Sequence, residues 1–317
     1  MGGPAASADP AAAPDPRLWA IVGATGTGKS ALSLDLAEEL AVSGRRAEIV
    51  NADAMQLYRG MDIGTAKLPP GERRGIPHHL FDVLDPGEEG AVAWYQALAR
   101  SVIDRLIADG SDVILVGGSG LYVSSVIFDF RFPPRDDALR AHLEAELQAD
   151  GVQPLLDRLR ALSPGTADAV DGRNPRRVVR ALEVVLLGGD ARVELPQEPR
   201  LWRPSTSILG VRCERSVLVE RLDRRVDAMW AGGLLDEVRS LIPSGLTRGR
   251  TASRAIGYAQ ALAQLEGRMT EAEAIAETQA LTRRYARRQV SWFKRYPGIE
   301  WVDLPADASG ERRPQEG

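Results

Sequence analysis

The chain has 317 residues, 44% hydrophobic and 26% charged, a balance that excludes a collagen, a wholly disordered chain and a disulfide scaffold. Its formal charge of −4 hides an asymmetry: residues 170–300 hold 23 Lys and Arg against 16 Asp and Glu, which is compatible with a polyanionic partner or with solvated helix faces. The single cysteine, Cys213, rules out an internal disulfide and fits a reducing compartment, and no apolar run approaches the ~20 residues of a membrane helix.

The first 17 residues are rich in Ala, Pro, Gly and Asp. They lack the basic start and apolar core of a signal peptide and read as a disordered tail on a cytoplasmic protein. Leu18 to Val22 is a short apolar run closed by glycine, hence a buried strand. Leu32, Leu36 and Leu40 recur at helical spacing, so Lys29 to Leu40 is helical. Ala47 to Val50 and His79 to Val83 read as strands, Val92 to Ala108 as a helix, and Val113 to Val116 as a fourth strand. Strands alternating with helices predict an α/β fold with a parallel sheet.

The texture changes after Phe132, where Pro133-Pro134 breaks the chain. Asp136 to Asp150, Val152 to Leu162 and Pro175 to Leu187 follow as consecutive helices. Gly188 to Pro204 is a polar linker. Ser207 to Val211 resumes a strand, long helices run to about Arg295, and Ile299 to Val302 is a last strand. The predicted organisation is a core domain of residues 18–131 and 205–303, a helical insertion at 132–204, a helical C-terminal part of the core, and a second disordered tail at 304–317.

Gly23-Ala24-Thr25-Gly26-Thr27-Gly28-Lys29-Ser30 fits G-x-x-x-x-G-K-[ST], with a strand before it and a helix after it. That context is what gives the pattern meaning: the glycines turn successive N–H groups inward, and the helix adds the positive end of its dipole. Lys29 supplies a cation to phosphate oxygens and Ser30 a hydroxyl for Mg²⁺. The motif predicts a P-loop NTPase-like core that binds a diphosphate or triphosphate, without specifying ATP. Lys29 is also one of only three lysines, against 37 arginines.

Asp53 follows the second strand, where ligands of open α/β sheets sit. There it is a candidate proton acceptor or metal ligand, and equally a candidate helix N-cap. After the fourth strand comes Gly117-Gly118-Ser119-Gly120-Leu121-Tyr122, with no acid of the kind that holds Mg²⁺ in P-loop ATPases. Asp82, read as lying inside the third strand, is the nearest substitute. His78 and His79 have no ligand set at metal spacing and read as structural. Arg173, Arg176, Arg177 and Arg180 share one face if helical. Arg283, Arg284, Arg287 and Arg288 form a second stripe, interleaved with Tyr285, Trp292, Phe293 and Tyr296, suiting either RNA contact or an amphipathic core helix.

From Trp19 to Trp301 these motifs in their order resemble the bacterial tRNA dimethylallyltransferases. The resemblance rests on the Gly23–Ser30 loop, on Asp53-Ala54-Met55-Gln56-Leu57-Tyr58, and on Met61-Asp62-Ile63-Gly64-Thr65-Ala66-Lys67. Pro77-His78-His79, Gly117 to Tyr122, Asn174-Pro175-Arg176-Arg177 with Arg180 to Glu183, and Ala255-Ile256-Gly257-Tyr258 add to it. It implies transfer of a dimethylallyl group from dimethylallyl diphosphate to N6 of adenosine 37, in the anticodon stem-loop of tRNA, with Mg²⁺ assisting and pyrophosphate leaving.

The same resemblance implies that Asp53 is the general base, that Ser119 (often threonine in the family) and Arg140 reach the diphosphate with Lys29, and that Asp53, Ala54, Met55 and Gln56 contact the adenine. Arg176, Arg177 and Arg180, with Arg254, Gly257 and Tyr258, would contact tRNA. It also implies a monomer. Ala54 departs from the serine frequent in the family, which puts a hydroxyl contact in doubt. Three other readings share parts of this pattern: a prenyltransferase of free adenine nucleotides, a small-molecule kinase, and a non-catalytic RNA-binding protein.

Overall fold

The computed structural model describes residues 15–189 and 199–304. Most of both terminal tails, and residues 190–198 of the linker, lie outside the described residues. The chain divides into two compact units, one built from the chain up to Phe128 and from Leu201 onward, the other from Asp129–Arg200.

The first unit is a six-stranded parallel sheet with order β3-β2-β4-β1-β5-β6. Its strands are β1 (Leu18–Gly23), β2 (Ala47–Asn51), β3 (His78–His79), β4 (Asp112–Gly117), β5 (Ser207–Arg212) and β6 (Ile299–Asp303). β1 pairs with β4 on one side and β5 on the other, Ile21 standing opposite Val116 and Leu209. The near-continuous apolar runs of β1 and β4 follow from burial on both faces. Leu18, Ala20 and Val22 face a core with Tyr95, Ile103 and Phe293, while Ile21, Ile114 and Val116 face Leu34, Ala37 and Leu40.

Helix α1 (Lys29–Val42) covers the second face. The first is covered by α2 (Val92–Ala108) and α3 (Gly120–Ile127) and by the C-terminal helices α8 (Arg215–Ala231), α9 (Leu234–Leu241), α10 (Tyr258–Leu265) and α11 (Glu271–Phe293). α11 starts with a reciprocal cap: Thr270 Oγ1 accepts the Glu273 N–H, and the Glu273 carboxylate accepts the Thr270 N–H at 2.8 Å. The sheet also ties down residues that the sequence assigns to the tails. Arg17 N–H donates to the buried Asp112, and Leu304 N–H to the Arg212 carbonyl.

The second unit holds α4 (Asp137–Asp150), α5 (Val152–Leu162), α6 (Pro164–Ala169) and α7 (Pro175–Leu186) around Leu143, Leu155, Leu159, Val178 and Leu182. The short α6 is not anticipated by the sequence pattern. Asn174 caps α7 and Pro175 takes its first position, where a missing N–H costs nothing. Arg173 therefore precedes the helix and does not join the stripe of Arg176, Arg177 and Arg180.

The third strand differs from expectation. Only His78–His79 pairs with β2. Leu80 and Asp82 have φ of 64° and 57°, a left-handed backbone that ends a strand. The chain instead folds back on residues 56–59, with Val83 N–H donating to Leu57 O at 2.8 Å and Arg59 N–H to Leu84 O at 2.8 Å. Asp82 is thus not a strand-borne metal ligand. It shares the buried Lys67 Nζ with Asp62, each at 2.6 Å.

Candidate active site

The carboxyl ends of β1, β2, β4 and β5 open at one edge of the sheet, where open α/β sheets bind ligands. From β1 the loop Gly23-Ala24-Thr25-Gly26-Thr27-Gly28 turns into α1. Gly26 and Gly28 hold φ of 80° and 95°, which glycine adopts without strain. Thr27 Oγ1 and Lys29 Nζ both donate to the Ala24 carbonyl, at 2.9 and 2.8 Å, so Lys29 folds over the loop. Ser30 comes next, exposed on the first turn of α1.

α8 closes the loop from the other side. Leu218 and Leu222 pack beside Gly26. One turn further on the same face, Arg225 Nη2 donates to Thr25 Oγ1 at 2.7 Å. The Arg225 Nε is buried with no hydrogen-bond partner among the described residues. A buried guanidinium with an unmet donor beside a phosphate loop fits an anionic ligand. The sequence pattern alone did not single out Arg225. The available signal was an arginine placed on the apolar stripe of Leu218, Leu222 and Val226.

β2 ends at Asn51, whose side chain shapes the turn into Asp53. Its Oδ1 accepts the Asp53 N–H at 2.9 Å, and its Nδ2 donates to the Asp53 and Leu80 carbonyls. Asp53 Oδ1 in turn accepts the Met55 N–H at 2.9 Å. This is a local turn and not a helix cap, since no helix begins there. Asp53 is half-buried. Burial pushes the Lys29 ammonium down to about 8, the Asp53 carboxylate pulls it back up, and Arg225 lowers it. Burial also lowers Arg225, opposed by Asp53. The loop's two cations and Asp53 thus form one electrostatic unit.

β4 leads into Ser119, whose Oγ accepts the Ala54 N–H at 3.1 Å. The Ser119 hydroxyl thereby ties the β4 turn to the segment bearing Asp53. Tyr285 on α11 stands beside Ser119 and Gln289; burial first, then the charge of Asp53, pushes its phenol up to about 12. Met55 packs on the main core. Gln56 Nε2 donates to the Thr65 and Ala66 carbonyls, at 3.1 and 3.3 Å.

Of the remaining sequence candidates, Arg254, Gly257 and Tyr258 belong to the first unit. Tyr258 is fully buried, its hydroxyl on Glu237, whose carboxylate also accepts the N–H groups of Asp62, Ile63 and Gly64. Gly257 is buried beside it with φ of 91°. Tyr258 and Glu237 together hold the 61–67 loop in place, and neither Gly257 nor Tyr258 presents a side chain to solvent. Arg254 is exposed. Within the helical unit Arg176 and Arg177 are exposed, whereas Arg180 is held by Glu183 and by the Pro133 and Pro134 carbonyls. Arg140 donates to Glu183 through Nε and Nη2, at 3.2 and 2.6 Å.

On α11, Arg283 pairs with Asp223 while Arg284, Arg287 and Arg288 are exposed. The aromatic residues interleaved with them do not form a surface stacking platform: Phe293 and Tyr296 are core, and the Trp292 indole donates to Ser124. His78 Nδ1–H donates to the Ile76 carbonyl at 2.8 Å, and His79 meets Glu48 at 2.7 Å. Cys213 is half-buried against Leu218 and Leu222. Among the described residues no helix is long and apolar enough to cross a membrane.

The chain is similar to several known proteins. The family model described as IPP transferase matches residues 56–296. A tRNA dimethylallyltransferase of Clavibacter sepedonicus is 60% identical over 290 residues, 92% of this chain and 94% of that protein. One from Leifsonia xyli subsp. xyli is 63% identical over 250 residues, 78% of this chain and 95% of that protein. Among solved structures, the full-length tRNA isopentenylpyrophosphate transferase of Bacillus halodurans is 40% identical with a TM-score of 0.64, covering 90% of this chain and 89% of that one. A eukaryotic dimethylallyltransferase acting on tRNA is 27% identical with a TM-score of 0.77, covering 91% of this chain and 74% of that one.

Proposed function

The chain belongs to the IPP transferase family and transfers a dimethylallyl group to tRNA; within that activity we propose that the donor is dimethylallyl diphosphate and the acceptor is N6 of adenosine 37, beside the anticodon. The observation that carries this reading is that Asp53 and the phosphate loop share one edge of the sheet: Ser119 Oγ accepts the N–H of Ala54, next to Asp53, and Gln289 links Gly118, next to Ser119, to the loop amide of Thr25. A base and a diphosphate site linked in this way suit a displacement in which the nucleophile and the leaving group are served together.

The exocyclic amine of adenine is a weak nucleophile, its lone pair delocalised into the ring. As N6 bonds to C1 of the allyl group, the C1–O bond to the diphosphate breaks. Asp53 accepts the N6 proton, a role worth roughly 10²–10⁴-fold for a positioned general base. Pyrophosphate departs with the bonding electron pair. The loop amides, Lys29 and Arg225 offset its growing charge, and the Ser119 hydroxyl is a further candidate donor at the turn after β4. Magnesium fits the exposed Ser30 hydroxyl, a hard oxygen donor at the head of α1; when bound it neutralises charge on the leaving pyrophosphate.

A base in an anticodon loop must leave its stack to enter such a site. Arg176 and Arg177, exposed on α7, and Arg254 suit contact with the RNA backbone. The test is transfer of labelled dimethylallyl diphosphate to three acceptors: unmodified tRNA, the same tRNA with guanosine at 37, and AMP. Label on the first alone is expected. Label on AMP alone would make this a free-nucleotide prenyltransferase. No label on any acceptor, with Mg²⁺ present, would return the loop to a kinase or binding role.

A further inference from the structure

Gln289 is a polar residue on the buried stripe of α11, between Ala286 and Phe293, and is only 4% exposed. Both ends of its amide are used. Oε1 accepts the Thr25 N–H at 2.9 Å, and Nε2 donates to the Gly118 carbonyl at 2.7 Å. Thr25 is the crest of the phosphate loop, and Gly118 precedes Ser119. One side chain therefore spans the two walls of the donor site. The contact also explains why position 118 is glycine: a Cβ there would lie 2.4 Å from Gln289 Nε2. Gly120, on the other side of Ser119, meets Trp292 of the same helix, a Cβ falling 2.5 Å from its indole. Both residues flanking Ser119 are shaped by α11.

We propose that Gln289 is a positioning residue for the prenyl diphosphate, fixing the distance between the phosphate loop and the Ser119 turn. The proposal rests on the Gly23–Ser30 loop being the diphosphate site. Its physical content is specific. The Thr25 amide is already occupied by Gln289, so it is not a phosphate donor, and the ligand is met by amides further along the loop. Without Gln289 the crest loses its anchor, and the donor must order the loop at its own cost in affinity.

Three variants test this. Gln289→Met keeps length and removes both hydrogen bonds. Gln289→Glu keeps the acceptor for Thr25 N–H, loses the donor to Gly118 and sets a carboxylate near the diphosphate. Gly118→Ala displaces the amide while leaving Gln289 in the sequence. Calorimetric titration of each full-length variant with dimethylallyl diphosphate is compared with steady-state kinetics on tRNA. The two neutral bonds set the expected scale: Gln289→Met and Gly118→Ala raise Kd and KM for the donor about tenfold, with kcat falling far less. Gln289→Glu raises them further, and KM for tRNA stays near that of the parent. A fall in kcat with unchanged donor affinity would overturn the proposal, and so would unchanged kinetics in all three. If the parent protein itself fails to bind dimethylallyl diphosphate, the loop assignment falls first and the proposal with it. If Gln289→Met does not fold, Gln289→Glu and Gly118→Ala still decide.

Discussion

Arg225 and Thr25 lie 200 residues apart, yet Arg225 Nη2 donates to the Thr25 hydroxyl at 2.7 Å. The bond joins a C-terminal helix to the phosphate loop and leaves Arg225 Nε buried, with no partner among the described residues. Arg225→Gln is therefore expected to weaken pyrophosphate binding by about 10- to 100-fold, the range for losing charge-assisted hydrogen bonds. Titration calorimetry with pyrophosphate measures it. An unchanged Kd would reduce Arg225 to a packing residue of α8.

Lys29 gives the donor step a pH dependence. Burial brings its ammonium down to about 8. The charged form is the one that attracts phosphate, so donor affinity is expected to hold below pH 8 and fall as pH rises through it. In Lys29→Arg, whose guanidinium keeps its proton, the alkaline limb should disappear. A profile of KM for dimethylallyl diphosphate from pH 6.5 to about 9.5 shows it, the range spanning the Lys29 transition. A limb that persists in Lys29→Arg would place the titrating group elsewhere.

Glu183 holds the helical unit together. Its side chain is fully buried and receives Arg140, Arg180 and the Asp136 N–H. Burial pushes its carboxyl up, but these hydrogen bonds outweigh burial and hold it below the usual 4.5. A lowered folded-state value means stability is present above the unfolded value and lost as pH falls through the folded one. Acid below about pH 4.5 should thus loosen α4 and α7 first, as hydrogen exchange would show. Glu183→Ala is expected to cost about 3 kcal/mol by stranding two arginines, measured by urea unfolding of the full chain. A loss near zero would mean solvent already satisfies both arginines.

The α7 arginines should not behave alike. Arg176 and Arg177 are exposed, while Arg180 is tied to Glu183 and two proline carbonyls. Arg176→Ala and Arg177→Ala are each expected to weaken tRNA binding and to flatten its salt dependence by about one unit of slope. Arg180→Ala should mainly lower stability. Equal salt slopes in all three variants and the parent would remove α7 from the RNA contact.

Much of this site was legible in the sequence, for identifiable reasons. The Gly23–Ser30 loop is a contiguous motif between a strand and a helix, and the geometry it needs is local. The α2 and α5 boundaries follow from helical periodicity alone. Asp53 was readable as a candidate because it follows β2, though not as a turn former over a cap. The third strand failed because nothing in Leu80-Phe81-Asp82 announces a left-handed backbone; the cause is pairing with residues 56–59, a tertiary fact. Arg225 and Gln289 were missed because each acts on a loop far away in sequence. What marked them was a polar residue on an apolar stripe, which acquires meaning only once the stripe's partner is known. Tyr258 shows the converse: a motif residue whose place is in the core beneath the 61–67 loop.

The most direct test compares the parent protein with Asp53→Asn. Each is incubated with dimethylallyl diphosphate, Mg²⁺ and unmodified tRNA, the tRNA is digested, and the fragment bearing position 37 is analysed by mass. The parent is expected to yield N6-dimethylallyladenosine at 37 alone. Asp53→Asn should bind pyrophosphate at least as well, having lost a nearby negative charge, yet form product about 10²–10⁴-fold more slowly. Product at another position, or near-parent turnover in Asp53→Asn, would contradict the assignment of acceptor or base respectively.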